Sequence, residues 1–360
     1  MIRFFLCFVL CFLSLNAKTL STEEMVSQMI VIGFDGYKEG DKWVEQIAKD
    51  IKREKIGGVV LDGKNVQNAT QLKKLTQYLK SQASAKLPLL VIATEEGGED
   101  AFLSPKKGFS FLPLAYEMAK NKDIEEAQKL YAQRAQELAN SGITINFAPV
   151  LDLQPKNPPT LMRSYASYEE IVTTYATLFM NALQSNNVLS IVKYFPTAGE
   201  NLRDDFASEV GVTDSWRFEQ LKPYYDLIAF GKVDGVLMSH VIHKELDKHN
   251  PALFSSTIIE GLLRGKMHFE GVVFVDNLRT NSLPNSIDFR TRVIRSIQAG
   301  ADVLVFSNYF ADNASMPFTV NKIIMDAIRS GELTKERIAL SYERIEKLKQ
   351  KSSQRHNNAD

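Results

Sequence analysis

The chain has 360 residues, 44% of them hydrophobic, 24% charged and 10% aromatic, enough for one large α/β barrel or two average domains around a sizeable core; this excludes collagen-like, mucin-like and coiled-coil proteins. Lys plus Arg equals Asp plus Glu at 43 each, so no basic field exists for sequence-independent nucleic-acid binding. The only cysteines, Cys7 and Cys11, fall within the first 17 residues, and a chain cleaved behind them has no thiol for a disulfide, a zinc site or a nucleophile.

The opening stretch, MIRFFLCFVLCFLSLNA, sets Arg3 before an apolar run at 4–15 and ends on the small Ala17, the layout of a secretory signal peptide. About twelve apolar residues fall short of the ~20 that a spanning helix needs, and Leu10 ahead of Cys11 is not the small residue of a lipoprotein signal. The expectation is a leader at 1–17, a mature chain starting near Lys18, and a soluble periplasmic or secreted protein with no stable membrane anchor after cleavage.

From there one unit recurs: a short β-rich apolar run, a turn, then a stretch of helical period. The apolar runs lie at 29–34, 57–61, 87–94, 145–150, 188–195, 235–240, 271–276 and 301–307, mostly continuous rather than alternating, as for strands covered on both faces. Helical segments are expected at 69–85, 124–141, 168–184, 214–230, 255–265 and 289–299. Eight such units predict a single-domain (β/α)8 TIM-type barrel over 18–351; an open doubly wound sheet is the competing architecture. Gly33, Gly36 and Gly40 do not have dinucleotide-fingerprint spacing, and no cofactor is expected. An amphipathic helix at 333–351 closes the fold, with 352–360 expected as a disordered tail.

In such a barrel chemistry sits at the C-terminal strand ends. There the sequence places Thr94-Glu95-Glu96-Gly97-Gly98-Glu99 after the third run, Asn146 to Asp152 along and beyond the fourth, and Lys193-Tyr194-Phe195-Pro196 in the fifth. Ser239-His240 closes the sixth and Asp276-Asn277 the seventh. His240 and His243 resemble a metal pair, but on a strand a spacing of three puts them on opposite faces and no third ligand is evident, so no metal is expected. Glu95, Glu96, Glu99 and Asp100 read as a solvated acidic loop, and Gly97-Gly98 and 146–149 as turn and packing residues.

These runs, in this order, resemble the barrel domain of glycoside hydrolase family 3, most closely its single-domain bacterial β-N-acetylhexosaminidases. The resemblance covers about 21–349 and rests on EEGG at 95–98, NFAPVLDL at 146–153, RSY at 163–165, KYFP at 193–196, VLMSHVIHKELDKHNPALFS at 236–255 and GVVFVDNL at 271–278, with SGELTKERIALSYERIEKLK at 330–349 like the family's closing helices. It implies that Asp276 is the nucleophile of a retaining mechanism. It also implies that Arg163 and Lys193 contact sugar, with Tyr194 and His240 as further substrate-binding positions, and that Glu96 takes the place of a buried structural carboxylate.

The family's active branch carries an Asp-Ser-His after the fifth strand, its His being the acid/base; here the position reads Asp204-Asp205-Phe206. Phenylalanine cannot donate a proton. The family's Lys-His pair is Lys193-Tyr194, its Asp before EGG is Thr94, and its two following arginines are Glu99 and Phe102. General acid help contributes roughly 10² to 10⁴ in rate, so turnover of natural glycans is expected to be poor. Losing several matched hydrogen bonds, at ~1 to 3 kcal/mol each, should also remove affinity for the free monosaccharide. Phe102, Tyr194 and Phe206 could stack on a pyranose or on a protein partner, while Arg163 and Lys193 should keep the mouth cationic and favour acidic wall fragments. Two readings result. One is an exported, catalytically degraded family 3 barrel binding cell-wall glycan, muropeptide or a protein partner. The other is a working glycosidase on N-acetylglucosamine-containing wall glycans, with Asp204, or else Asp205 or Glu200, supplying the proton ~5 to 5.5 Å from Asp276.

Overall fold

A computed structural model describes residues 20–153, 162–198, 218–280, 283, 286–306 and 316–357, with side chains to 352. The expected leader, the segment from 199 to 217 with Glu200, Asp204, Asp205 and Phe206, and the last residues of the tail lie outside the described residues.

All eight expected strands form. They are β1 (Ile30–Gly33), β2 (Gly58–Val60), β3 (Leu90–Ala93), β4 (Ile145–Asn146), β5 (Leu189–Phe195), β6 (Gly235–Met238), β7 (Val272–Val275) and β8 (Val303–Phe306). Each pairs in parallel with the next, and β1 pairs with β8 through Ile30 opposite Leu304 and Val31 opposite Val305, closing the barrel. That closure excludes the open sheet. Val, Ile and Leu dominate the strands and are buried on both faces, because side chains fill the interior and helices cover the outside. Glycine is required where the walls come closest: a Cβ on Gly57 would lie 2.2 Å from the Gln28 carbonyl oxygen.

The helices are α1 (Thr22–Gln28), α2 (Lys42–Lys52), α3 (Ala69–Ser81), α4 (Ala115–Asn121), α5 (Ile124–Asn140), α6 (Glu169–Ser185), α7 (Lys222–Ala229), α8 (Phe289–Ala299), α9 (Met316–Ser330) and α10 (Lys335–Asn357). Side-chain caps start several of them, with Asn68, Asp123 and Asp288 accepting from the backbone N–H of Gln71, Glu126 and Thr291. Three expectations are corrected. The helix expected at 255–265 is wound as a π-helix over Thr257–Lys266, with i to i−5 bonding seen in Met267 N to Leu262 O at 3.0 Å. The helix expected from 214 reduces, among the described residues, to α7 preceded by a 3₁₀ turn at Phe218–Leu221. The last helix runs to Asn357, past the expected boundary at 351.

The N-terminal end of the barrel is bolted shut by charge. Asp302, just ahead of β8 and 0% exposed, accepts from Arg264 Nη2 at 2.7 Å, the Val273 N–H at 3.0 Å, Ser341 Oγ at 2.9 Å and Arg344 Nη1 at 3.1 Å, with Arg337 Nη2 at 3.4 Å. Further along α10, Lys349 donates to Gln28 Oε1 at 2.6 Å and the Gly57 carbonyl at 3.1 Å, and Lys351 pairs with Asp234. Helix α10 thus touches the starts of strands far apart in sequence. Replacing Asp302 by Ala leaves three guanidinium groups facing an empty site, and breaking a buried pair costs about 3 to 5 kcal/mol. Urea unfolding of Asp302→Ala is expected to show a loss of that size, and a loss below ~1 kcal/mol would contradict the assignment.

Candidate active site

Because the strands are parallel and the barrel closed, Thr94, Lys193, His240 and Asp276, at or just past the ends of β3, β5, β6 and β7, share one mouth. The loop after β3 is the most constrained part of it. Asn146, on the neighbouring strand, accepts from the Glu95 N–H at 2.8 Å and donates to the Glu95 carbonyl at 3.0 Å. The Glu95 carboxylate, fully buried, accepts from the N–H of Gly97 at 2.9 Å and of Leu103 at 2.8 Å and pairs with Arg134 at 3.3 Å. Burial pushes its pKa up, opposed by Arg134 and these backbone donors. Gly97 and Gly98 turn the chain with φ of 88° and 90°, and a Cβ on Gly97 would meet the Pro113 carbonyl oxygen at 2.5 Å.

This clamp presents Glu96. Its carboxylate takes Arg163 in a two-pronged contact, Nε to Oε2 and Nη2 to Oε1 both at 2.7 Å, and also pairs with Lys193. Arg163 Nη2 further donates to the Tyr194 hydroxyl at 2.9 Å, and both cations lie against the Tyr194 ring, at 5.6 and 5.2 Å from its centroid. Burial raises the Glu96 pKa, but Lys193 and Arg163 outweigh it and hold the group at about 2. Arg163, Lys193 and Tyr194 are therefore together, as the sequence suggested, with both cations paired to Glu96 and the Tyr194 hydroxyl accepting from Arg163. Lys193 is 1% exposed, and one carboxylate against two cations leaves this trio one net positive charge, so the expected cationic mouth is reduced.

Other expectations change for similar reasons. The acidic loop splits: Glu95 is buried, Glu96 is half-buried, and both are paired, while only Glu99 and Asp100 of the four are exposed. Phe102 is 6% exposed and packs in the core, drawn in with Leu103 by the Glu95 carboxylate, and offers no ring for stacking. Strand β6 stops at Met238, so the strand-face argument for His240 and His243 does not apply to them. Among the described residues no group of three His, Cys, Asp or Glu is placed to hold a metal.

Three anchors had not been singled out from the sequence. Asp152, 4% exposed, accepts from the Ala198 N–H at 2.7 Å, the Tyr194 N–H at 3.4 Å and the Thr197 hydroxyl; burial raises its pKa to about 6 against those donors and Arg163. Arg134 falls on the buried face of α5 with Ala127, Tyr131 and Leu138, a pattern visible in the helical period. Arg292 of α8 supports the loop that begins at Asp276 by donating to the carbonyls of Leu278 at 3.0 Å, Thr280 at 3.1 Å, Leu283 at 3.3 Å and Ile287 at 2.9 Å. Asp276 itself is half-buried at the start of that loop. Burial, aided by Arg292 and opposed by the nearby Asn277 backbone, pushes the His240 pKa down to about 4. Asp204 lies outside the described residues.

A closed parallel barrel whose charged groups converge at the C-terminal strand ends has the layout of a barrel enzyme. The family model for the glycosyl hydrolase family 3 N-terminal domain matches residues 21–348, and the chain belongs to that family. It is 27% identical over 371 residues to β-hexosaminidase A of Pseudoalteromonas piscicida, covering 93% of this chain but 62% of that protein. With the β-hexosaminidase of Tolumonas auensis it shares 31% identity over 258 residues, 70% of this chain and 76% of the relative. The solved family 3 β-N-acetylglucosaminidase of a Paenibacillus species superposes with a TM-score of 0.83 at 29% identity, over 93% of this chain and 63% of that one. The chain thus spans less than two thirds of the length of the first and third of these proteins.

The depressed pKa of His240 has a definite sign. Between about 4 and the ordinary 6.5 the unfolded chain binds the proton that the folded chain refuses, so stability is present above 6.5 and is lost as pH falls toward 4. Asp152, raised from 3.8 to about 6, works in the opposite direction over nearly the same window. His240→Gln should therefore flatten the acid side of the stability profile between pH 6.5 and 4; unfolding curves that remain parallel to wild type across this range would count against a neutral, buried His240.

Proposed function

We propose that this chain is an exported family 3 barrel that binds cell-wall glycan at its mouth and hydrolyses natural glycosides at a rate near background, a protein partner being the other ligand that would suit a degraded site. One observation carries the reading: the nucleophile position is kept as Asp276, while the position of the family's acid/base histidine is Phe206. The protonation states of the described mouth groups support it. Glu96 is held ionised and His240 neutral at pH 7, and Asp152, with the highest pKa of these three carboxyl and imidazole groups, is buried behind Thr197 and Ala198. Glycosidic cleavage needs a group that arrives protonated beside the leaving oxygen, and none of the three fills that role.

The retention of Asp276 favours a second reading, an active retaining glycosidase on N-acetylglucosamine-containing wall material, with Asp204, Asp205 or Glu200 as proton donor. The names of the relatives, β-hexosaminidase and β-N-acetylglucosaminidase, support that substrate class for either reading.

Kinetics on two substrates separate the readings. An activated aryl N-acetylglucosaminide needs little acid help, so slow cleavage dependent on Asp276 is expected there, with chitobiose turnover at background. Phe206→His, set two residues after Asp204, should raise chitobiose hydrolysis more than aryl-glycoside hydrolysis, within the 10²- to 10⁴-fold range of general acid catalysis. Robust wild-type chitobiose hydrolysis abolished by Asp276→Asn would instead establish the active enzyme.

Export has its own test. N-terminal sequencing of protein from the producing cells should find the mature chain beginning at or near Lys18 in an extracytoplasmic soluble fraction; an intact Met1 chain recovered with membranes would refute it.

A further inference from the structure

The loop after β1 and helix α3, which follows β2, both begin at the mouth end of the barrel, and between them lies a cavity of about 380 Å³. That volume falls within the ~300 to 1,000 Å³ typical of small-molecule pockets. Tyr37, Leu75 and Tyr78 line it, and both tyrosines are half-buried.

The loop that carries Tyr37 is tied down by side chains. Asp41 Oδ2 accepts from the N–H groups of Tyr37 at 2.9 Å and Lys38 at 3.1 Å. From the other side Asn65, 0% exposed, donates to the carbonyls of Phe34 at 3.0 Å and Gly36 at 2.7 Å, and Gln71 of α3 donates to the Tyr37 carbonyl. The Tyr78 hydroxyl donates to Glu45 Oε1 at 2.9 Å, and the same oxygen accepts from the Gly40 N–H at 3.0 Å. Both tyrosines are thus fixed before any ligand arrives, and a wall that is already ordered spares a ligand the cost of ordering it.

Polar groups surround the rings. The Asn68 amide nitrogen, the Thr70 hydroxyl and the Lys74 ammonium make no hydrogen bond or ion pair with a described residue, and Lys38 stands 5.7 Å from the Tyr37 ring centre. Glu39 adds a carboxylate acceptor. A pyranose has an apolar C–H face and an edge of hydroxyls that both donate and accept, so rings, donors and acceptor each find a counterpart on it. Peptides match less well. The closed barrel has no sheet edge for an added strand, and Leu75, the one aliphatic side chain of the described lining, is too little to anchor an amphipathic helix. A polyproline chain offers acceptors alone and leaves Glu39 without a donor.

We propose that this cavity is a second carbohydrate site, outside the mouth, which takes a short stretch of a neutral oligosaccharide against Tyr37 and Tyr78 and bonds its hydroxyls through Asn68, Thr70 and Lys74. The choice of sugar rests on the proposed function, which favours N-acetylglucosamine-containing chains; the site itself requires neither turnover nor binding at Asp276.

Isothermal titration and hydrogen-exchange mass spectrometry with N-acetylchitotetraose test the proposal together. The tetrasaccharide should bind saturably and slow amide exchange in 34–45 and 65–78. Tyr37→Ala should weaken binding at this site tenfold or more and remove that protection, whereas Tyr37→Phe, which keeps the ring, should retain both. Circular dichroism checks that the variants fold; were Tyr37→Ala not to fold, Lys74→Ala on the exposed face of α3 takes its place and should lower the affinity at least threefold. Protection confined to the mouth loops at 95–103 and 276–280 would overturn the second site and leave glycan binding at the mouth standing, and protection confined to 34–45 and 65–78 would uphold the second site and count against the mouth. No saturable binding, unchanged protection of 34–45 and 65–78 in the folded variant, or tighter binding of a polyproline peptide would each overturn the assignment.

Discussion

Glu96 is the point at which three separate parts of the mouth are joined. Its carboxylate comes from the loop after β3, Arg163 from the connection after β4, and Lys193 from β5 itself. Bringing a carboxylate and two cations out of water is costly, and the attraction among them repays that only when the geometry is good and the remaining donors are used. Here it is good: the guanidinium contact is two-pronged, and Arg163 Nη2 also reaches the Tyr194 hydroxyl. The Asn146 clasp on Glu95 and the Glu95–Arg134 pair hold the loop from behind. A ligand at this mouth would meet cations already committed to Glu96.

The two ends of the barrel handle buried charge differently, and the difference follows from what each end does. At the N-terminal end, Asp302 gathers arginines from the π-helix and from α10 and converts charge into attachment. At the C-terminal end the charges sit on loops, where the strands deliver groups from several segments to one place.

The loop that Asp276 begins is supported from two sides. Arg292 holds four carbonyls of the loop that Asp276 begins, and buried His240 lies near the backbone of Asn277. These contacts would serve a nucleophile or a binding residue equally well. What decides between them is the proton donor, because departure of an unactivated sugar alcohol needs one and departure of an aryl group scarcely does.

The sequence by itself determined the barrel. Each strand is a short Val-, Ile- and Leu-rich run, and such runs can be buried on both faces only in a parallel sheet covered by helices; eight in succession leave little choice of architecture. It also determined that Thr94, Lys193, His240 and Asp276 would lie at one mouth, since that requires only the order of strand and turn. Helices α1, α2, α4 and α9 were not among the expected segments; α1 and α4 are only seven residues long, about two turns, too short for a helical period to register. Only the tertiary structure decided the pairings. Arg163 is 67 residues from Glu96, Phe102 turns inward because a buried carboxylate binds the next residue's N–H, and His240 lies beyond its strand rather than on it. Periodicity records which face of its own element a residue occupies. Which distant charge it meets is set by barrel closure, which brings β3, β4 and β5 side by side whatever their separation along the chain.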